Sequence, residues 1–274
     1  MSAWPASWPT PASLIEISMD IENIADELWS AARQGRHMPA EWSGKFSLRQ
    51  GYEVQLAMLR RQRLAGERQS GWKVGLTAEA MRVQQQVHEP CFGYLLHSGE
   101  HASGQQYRCA DLLQPGFENE LCLTLGKTLR GPGVTLDDVM AAVSHAAPAL
   151  EIVEVRGPFA GNLPLAMADN AQQKAYVCGQ AVALTPANLR LAEAAVQVIV
   201  NGEVQEQATG AAVMGAGGLL SVQWLANKLA EFDLPLEAGM RVMSGSFTRQ
   251  YRAEAGMKVV SRYTPFGDVS AEFI

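Results

Sequence analysis

Acidic residues interrupt an otherwise apolar alternation between residues 114 and 156, and this pattern constrains the fold more than any other. If residues 117–125 form a strand, Glu118 and Glu120 point to one face, because side chains of a strand alternate between its two faces. Two carboxylates on one face repel each other unless something positive lies between them. The opposite face is apolar apart from one amide, and it carries Phe117, Asn119, Leu121, Leu123 and Leu125.

A third acidic position follows in residues 148–156, whose sequence PALEIVEVR is also typical of a strand. Glu151 would share a strand face with Val153 and Val155. Burying a carboxylate on an apolar face is unfavourable unless the charge is paired or bound to a metal. Oxygens from three carboxylates suit a hard divalent cation such as Mg²⁺ or Mn²⁺. The working hypothesis is therefore a divalent metal site.

Length and composition describe a globular protein with 274 residues, of which 47% are hydrophobic and 18% are charged. This length allows one large domain or two unequal ones. The net charge of −6 gives no electrostatic basis for binding nucleic acid or acidic membranes. The first residues lack the basic start and apolar core of a signal peptide, and the four cysteines are widely spaced. We therefore expect a cytoplasmic protein with reduced thiols.

The first part of the chain has the pattern of helices. Apolar residues at helical spacing predict one helix from Ile15 to about Arg33, and Ser47 is placed to cap a second. Prolines near the start favour a loosely ordered arm before them. We predict that residues 1–70 form an N-terminal arm and helical subdomain. Residues 71–274 would form a mixed-β domain that carries the acidic site.

Three polar residues of the middle region have both a simple and a functional interpretation. The segment WKVGLT predicts a short strand, and its single Lys73 would most simply be an exposed charge. His88 and Glu89 lie in the loop that follows a short helix, and functional residues are common in loops. From the residues alone, none of these three residues can be assigned to a functional site.

Acidic residues elsewhere are explained at least partly by local structure. Thr135 can cap a helix with Asp138 as the capping-box acid, and Asp137 also favours a helix N-terminus. These two aspartates are therefore left out of the metal site. Asp169 and Asn170 either hold a tight turn or donate polar groups to a site, and the sequence alone favours neither.

The last third of the chain has mostly β patterns. Asn201 and Gly202 lie between two β-prone runs, which is a strong hairpin signal. Residues 219–229 have the apolar spacing of one amphipathic helix. Further strands are predicted in RVMSGSF, MKVVSRY and VSAEFI.

Several segments, taken together and in order, resemble the fumarylacetoacetate hydrolase superfamily, and most closely its 2-keto-4-pentenoate hydratase and 4-oxalocrotonate decarboxylase family. The segments are WKVGLT, VHEPCFGYLL, QPGFENELCLTL, GPGVTLDDV, PALEIVEVR, MADNA and VMSGSF. The resemblance covers roughly Gly51 to the C-terminus. It implies an α+β fold, a mixed β-sheet roll of the fumarylacetoacetate hydrolase C-terminal type with a helical N-terminal subdomain. It also implies a divalent metal, Mg²⁺ or Mn²⁺, and assembly as a homo-oligomer.

The resemblance also implies roles for individual residues. Glu118, Glu120 and Glu151 match the metal ligands of the family. Lys73 matches a lysine beside the substrate and becomes a candidate acid, base or oxyanion partner. The matching segments place further residues at the substrate, namely Leu76, Asp169, Ser244 and Ser246. Near a metal, like charge should lower the pKa of Lys73.

The implied reaction is metal-dependent chemistry on a 2-keto acid, most simply hydration of 2-hydroxypenta-2,4-dienoate to 4-hydroxy-2-oxopentanoate through a metal-stabilised enolate. Decarboxylation of 4-oxalocrotonate shares the enolate step, and the sequence separates the two poorly. Hydrolysis of an acylpyruvate C–C bond and an inactive paralogue with an assembly role are further alternatives. A neighbouring pathway enzyme is a possible partner in addition to the small-molecule substrate.

Two positions and one turn depart from the family pattern, the turn being GAGG at residues 215–218, where the family usually has a GHP-like turn. Many relatives have an acid where this chain has Cys91, and a small polar residue where it has Gln172. The identity of the proton donor is therefore open. We hypothesise that His88 or Glu89 supplies the missing acid or base.

Overall fold

The computed structural model describes residues 20–84 and 86–274, which form α-helices and two β-sheets. The helices are α1 (Ile21–Arg33), α2 (Leu48–Leu64), α3 (Glu79–Gln84), α4 (Leu136–Ala142), α5 (Leu163–Ala168) and α6 (Leu219–Ala230). The first strands are β1 (Gln69–Gly75), β2 (Cys91–Leu96), β3 (Glu100–Ala102), β4 (Gln105–Tyr107), β5 (Pro115–Leu125), β6 (Val143–Glu154) and β7 (Gln173–Cys178). The others are β8 (Val182–Ala183), β9 (Ala195–Val200), β10 (Glu203–Thr209), β11 (Arg241–Met243), β12 (Tyr251–Arg252), β13 (Lys258–Thr264) and β14 (Gly267–Phe273). Within the described ranges, no helix combines the length and the apolar character needed to cross a membrane.

The larger sheet has nine strands and holds both acidic strands near its middle. Its order is β2-β1-β11-β5-β6-β7-β3, with β12 added to β5 and β8 added to β6. The smaller sheet has five strands in the order β10-β9-β13-β14-β4. Parallel and antiparallel pairs both occur, as β1 is parallel to β11 and antiparallel to β2. The expected α+β fold with mixed sheets is confirmed.

The two faces of β5 belong to different packing environments, as its alternation predicts. Leu121 and Leu123 are fully buried in the main hydrophobic core, which also receives residues of α6 and of the smaller sheet. Cys122 faces the other way, into a small separate cluster with Leu95, Ala147, Ala149, Tyr176 and Met243. Glu118 and Glu120 share that second face with Cys122, because all three have even positions on the strand.

The N-terminal helices pack on the same core as the sheets. Ser47 and Gln50 form a complete capping box at the start of α2, as predicted from Ser47. The ring of Tyr52 in α2 stacks on Phe92 of β2 with centroids 4.2 Å apart. The predicted start of the first helix at Ile15 lies outside the described residues, and the division into residues 1–70 and 71–274 stays a prediction.

Local signals elsewhere give the expected elements. Thr135 and Asp138 form a capping box at the start of α4, which explains Asp138 without a metal. Asn201 and Gly202 both have positive φ in the turn between β9 and β10. Strand β6 begins at Val143, before the predicted residues 148–156, because the end of β5 extends the pairing to that point.

Candidate metal centre

Strand pairing brings the three predicted glutamates together. Glu118 of β5 lies directly opposite Glu151 of β6 in the antiparallel register. Glu120 follows two residues later, so its side chain lies on the same face of the sheet. One carboxylate oxygen of each residue lies within 4.8 Å of those of the other two. Among the described residues, no other group of three or more acidic, histidine or cysteine side chains converges in this way.

The carboxylates leave oxygens without protein partners, which is the condition for a cation to bind. Glu120 and Glu151 are almost fully buried. Oε1 of Glu120 and Oε2 of Glu151 have no hydrogen-bond donor, whereas Oε1 of Glu151 lies 3.3 Å from the ammonium of Lys73. An unpaired buried charge is strongly unfavourable, so three converging carboxylates call for a compensating cation. Hard divalent cations prefer such oxygen ligands, and the residues present fit this group.

Lys73 of β1 supplies one positive charge at the edge of this cluster. Its Nζ atom lies 3.3 Å from Oε1 of Glu151, and both side chains are almost inaccessible to solvent. Burial lowers the pKa of Lys73, but attraction to Glu151 and to the other charges nearby outweighs it, so the net pKa is raised. The lowering expected beside a bound metal is not tested by the chain without a cation, and it stays a prediction. The expectation counted the charge of the metal and left out the charge of the three carboxylates.

The clustered negative charge also perturbs the carboxyl groups themselves. Burial, followed by repulsion from Glu151, raises the pKa of Glu118 from 4.5 to about 7. Burial, followed by repulsion from Glu151 and Glu118, raises the pKa of Glu120 well above its ordinary value. Three carboxylates face one ammonium, so the cluster retains protons near neutral pH unless a cation displaces them.

A loop after β11 holds Glu120 and its strand in place. The backbone N–H of Gly245 donates a 2.8 Å hydrogen bond to Oε2 of Glu120. On either side of it, Ser244 Oγ donates to the carbonyl of Leu121 at 2.7 Å, and Ser246 Oγ accepts from the N–H of Asn119 at 3.3 Å. The two predicted serines thus lie next to the cluster, with their hydroxyl groups engaged by β5. Their predicted contact with substrate stays a prediction.

Asn119 is a structural residue of the site whose role was not predicted from the sequence. Its side chain accepts a hydrogen bond from Ser261 Oγ at 2.5 Å and donates to Thr248 Oγ1 at 2.8 Å. Its carbonyl accepts from the N–H of Phe247 at 2.8 Å. Asn119 therefore ties the loop after β11 to β5 from the face opposite the glutamates. The sequence feature that could have predicted this role is an amide residue within an otherwise apolar strand face, because a buried amide needs hydrogen-bond partners.

His88 and Glu89 lie in the loop before β2, as predicted. Glu89 forms a 2.9 Å ion pair with Lys228 of α6, and His88 is exposed. Leu76 follows β1 with a positive φ of 56°, and its carbonyl accepts a 2.9 Å hydrogen bond from Arg82. In this arrangement the carboxylate of Glu89 is directed to Lys228, and its proposed role in proton transfer stays untested.

Cys91 begins β2 beside the ammonium of Lys73. A Cβ atom added to Gly75 would lie 3.0 Å from Sγ of Cys91 and 3.4 Å from Nζ of Lys73, so both atoms approach the same point. Burial is the main cause that raises the pKa of Cys91 to about 11. The residue is therefore a neutral thiol at physiological pH.

Asp169 and Asn170 have separate partners. Asp169 accepts a 2.6 Å hydrogen bond from Nε of Arg156, the residue two positions after the end of β6. Asn170 has a positive φ of 59° and bonds through its side chain to the backbone of Tyr94. The turn interpretation therefore describes the local structure. The predicted contact of Asp169 with substrate stays a prediction.

The sequence and the structure are both similar to those of characterised enzymes, although no protein-family model matches the chain. The chain is 35% identical over 258 residues to 2-hydroxyhexa-2,4-dienoate hydratase of Comamonas testosteroni, covering 92% of this chain and 97% of that protein. It is 35% identical over 218 residues to 2-hydroxypent-2,4-dienoate hydratase of Pseudomonas putida, covering 78% and 97%. A solved structure of 4-oxalocrotonate decarboxylase from Pseudomonas putida G7, complexed with magnesium and adipate, superposes with a TM-score of 0.86 at 30% identity. That match covers 93% of this chain and 97% of the other.

Proposed function

We propose that this chain, which belongs to the 2-keto-4-pentenoate hydratase and 4-oxalocrotonate decarboxylase family of the fumarylacetoacetate hydrolase superfamily, hydrates 2-hydroxypenta-2,4-dienoate to 4-hydroxy-2-oxopentanoate. The chain is an enzyme of this family, and its relatives include both hydratases and a decarboxylase. The observation that carries the proposal is the convergence of three glutamates, two buried and one half-buried, with one buried lysine on a single sheet face. This combination provides a cation site and a proton-bearing group in contact with it.

We propose Mg²⁺ as the cation, held by Glu118, Glu120 and Glu151. Unpartnered oxygens of Glu120 and Glu151 support a hard divalent ion, and the superposed decarboxylase is complexed with magnesium. Mn²⁺ has the same ligand preference and remains the alternative. When bound, such an ion supplies a Lewis acid that withdraws electron density from the oxygens of a keto acid.

Lys73 is the proposed proton-bearing group of the reaction. In the chain without cation its raised pKa keeps Nζ protonated, and we propose that this ammonium donates a hydrogen bond and a proton in the reaction. The contact with Glu151 fixes the ammonium beside the proposed cation site, and burial excludes bulk water from it. A group held in this way can give its proton to a substrate carbon or oxygen, and recover one from the water that adds.

The second acid or base of the reaction is proposed to be His88 or Glu89. His88 and Glu89 lie three and two residues before Cys91, the neutral thiol beside Lys73, and Glu89 would have to exchange its contact with Lys228. The measurement is the turnover of His88→Ala and of Glu89→Gln. Unchanged turnover in both variants would reject these residues and leave Lys73 as the sole candidate.

Substrate contacts are proposed for Leu76, Asp169, Ser244 and Ser246. The serines are supported by Gly245 between them, whose N–H contacts Glu120. Asp169 is the least supported, because Arg156 already engages its carboxylate. Replacing each residue in turn and measuring the KM for the substrate tests these contacts, and an unchanged KM removes a residue from the set.

A substrate panel tests the reaction. The three substrates are 2-hydroxypenta-2,4-dienoate, 4-oxalocrotonate and fumarylpyruvate, each assayed with Mg²⁺ and with EDTA. Loss of the dienoate absorbance without release of CO₂, only with Mg²⁺, supports hydration. Cleavage of fumarylpyruvate to two acids would instead indicate an acylpyruvate hydrolase. No turnover of any substrate would favour an inactive paralogue with a role in assembly.

Decarboxylation of 4-oxalocrotonate is the second candidate reaction. It is supported by the superposition on the decarboxylase, which covers almost the whole of both chains. CO₂ release from 4-oxalocrotonate in the same panel, without consumption of the dienoate, would establish it in place of hydration.

Assembly and location follow as further proposals. We propose a cytoplasmic homo-oligomer that acts on a small keto acid and can associate with a neighbouring enzyme of the same pathway. Light scattering coupled to gel filtration gives the subunit number, and a monomer of 29.6 kDa would reject the assembly proposal.

A further inference from the structure

Three consecutive residues between α5 and β7 adopt a backbone conformation that is rare for residues with side chains. Asn170, Ala171 and Gln172 have φ angles of 59°, 49° and 61°. Asparagine accepts the left-handed region better than most residues, whereas alanine and glutamine do so rarely. The surrounding contacts must therefore hold this left-handed turn in place.

The side chain of Asn170 binds the outer edge of the larger sheet. Oδ1 accepts a 2.7 Å hydrogen bond from the N–H of Tyr94, and Nδ2 donates a 3.0 Å bond to the carbonyl of the same residue. Tyr94 belongs to β2, the end strand of the sheet. One amide group thus satisfies both backbone groups of one residue, as a further strand would do.

Gly93 gives Asn170 and Lys73 a shared space on this strand. Gly93 lies opposite Lys73 in the register of β1 and β2. A Cβ atom added to Gly93 would lie 2.9 Å from Oδ1 of Asn170, 3.0 Å from its carbonyl oxygen and 3.4 Å from Cγ of Lys73. The amide of Asn170 and the alkyl stem of Lys73 therefore occupy the same side of β2 and approach the same point.

The turn is anchored on its other side to the strand that carries Glu151. Arg156, just after β6, donates from Nη2 to the carbonyl of Asp169 at 2.7 Å and from Nε to its carboxylate at 2.6 Å. Gln172 donates to the carbonyl of Gly157 at 2.7 Å. The turn therefore connects the end of β6 to β2, the direct neighbour of the strand that carries Lys73.

We propose that Asn170 is a positioning residue, which fixes the stem of Lys73 and thereby the placement of its ammonium against Glu151. The inference rests on the proposed function, because it gives Asn170 a role through Lys73. Asn170 does not touch the reacting atoms, and its effect passes through β2 and the space left by Gly93. Misplacement of a catalytic group by about 1 Å can lower a rate about 100-fold, so small shifts suffice.

The test variant is Asn170→Gly, because glycine adopts the left-handed conformation without strain and removes only the amide. The matched control is Asn201→Gly in the exposed hairpin, where Asn201 also has a positive φ of 51°. Circular dichroism and thermal unfolding establish that both variants fold. We expect kcat to fall at least about tenfold in Asn170→Gly, with KM changed less than about twofold, and to stay unchanged in Asn201→Gly.

A double-mutant cycle with Lys73→Ala separates a positioning role from a general structural one. If Asn170 acts through Lys73, Asn170→Gly has no further effect on kcat once Lys73 is replaced. Equal losses from Asn170→Gly in both backgrounds would overturn the proposal, as would an unchanged kcat in Asn170→Gly. Full activity of Lys73→Ala would instead refute the proposed function, so the two failures are distinguishable.

A crystal structure of Asn170→Gly gives a readout that needs no turnover. We expect the separation of Lys73 Nζ and Glu151 Oε1 to increase from 3.3 Å. An unchanged separation would overturn the proposal even if the variant were slow.

Discussion

Affinity for the divalent cation should fall steeply between pH 8 and pH 6. The cation needs deprotonated carboxylates, and the pKa of Glu118 in the chain without cation is about 7. A group with this pKa is about nine-tenths ionised at pH 8 and about one-tenth ionised at pH 6. Binding must therefore displace about one proton at pH 6.

One displaced proton weakens the apparent Kd about tenfold between pH 8 and pH 6, or about 1.4 kcal/mol. Glu120 adds to this effect, because its pKa is also raised. Protonation of either carboxyl group weakens cation binding, since each group binds a proton in competition with the cation. The expected factor is therefore at least about tenfold, and it grows if both carboxyl groups bind protons.

Titration calorimetry with Mg²⁺ at pH 6, 7 and 8 measures this dependence. Repeating each titration in two buffers that differ in ionisation enthalpy counts the released protons. Asp138→Asn is a suitable control, because Asp138 is an exposed capping-box residue of α4 and should leave the pH dependence unaltered. An equal Kd at pH 6 and pH 8, with no proton release, would refute the reasoning that the glutamates are the ligands.

The other predictions concern single substitutions. Glu118→Gln should abolish metal-dependent turnover. It should also raise the Tm of the metal-free protein at pH 8, because the pKa of Glu118 in the folded protein, about 7, lies above its ordinary value of 4.5, and ionising this carboxyl therefore disfavours folding. At pH 4 the side chain at position 118 is neutral in the wild type and in the variant, so the gain in Tm should vanish. A gain that persists at pH 4 contradicts this account. Asn119→Ala should lower the free energy of unfolding in urea by about 2 kcal/mol, since the buried hydroxyl of Ser261 and the half-buried hydroxyl of Thr248 lose their bonds. An unchanged midpoint would reject that role. Gly93→Ala should lower kcat by a larger factor than it changes KM, because the added methyl meets Asn170 and the stem of Lys73. Wild-type kinetics in this variant would contradict that expectation.

Much of the fold can be predicted from the sequence, because caps, turns and strand alternation depend on interactions between residues close in the chain. Ser47 and Thr135 cap the helices that follow them, since a hydroxyl needs only the next turn of backbone to bond. Asn201 with Gly202 sets a hairpin through the φ angles those residues tolerate. The alternation around Glu118 likewise fixes which side chains share a face.

The glutamate cluster was predicted from spacing and resemblance, but its completion depends on contacts between distant segments. Glu151 meets Glu118 because β5 and β6 pair in one register, and a shift by one residue would turn its side chain to the other face. The pKa of Lys73 shows the same dependence. In the chain without a cation, the direction of its shift is set by carboxylates from two other strands, which only the fold brings to Lys73.

The sequence by itself determined the capped helices, the hairpin and the carboxylate pattern of the two acidic strands. Tertiary structure alone decided that Arg156 takes the carboxylate of Asp169, that Glu89 binds Lys228, and that Asn170 lies against Gly93 beside Lys73. The physical reason is the distance along the chain over which each kind of interaction acts. Caps, turns and alternation are settled by forces between neighbours in the chain, whereas charge pairing and close packing depend on which distant surfaces the sheet brings together.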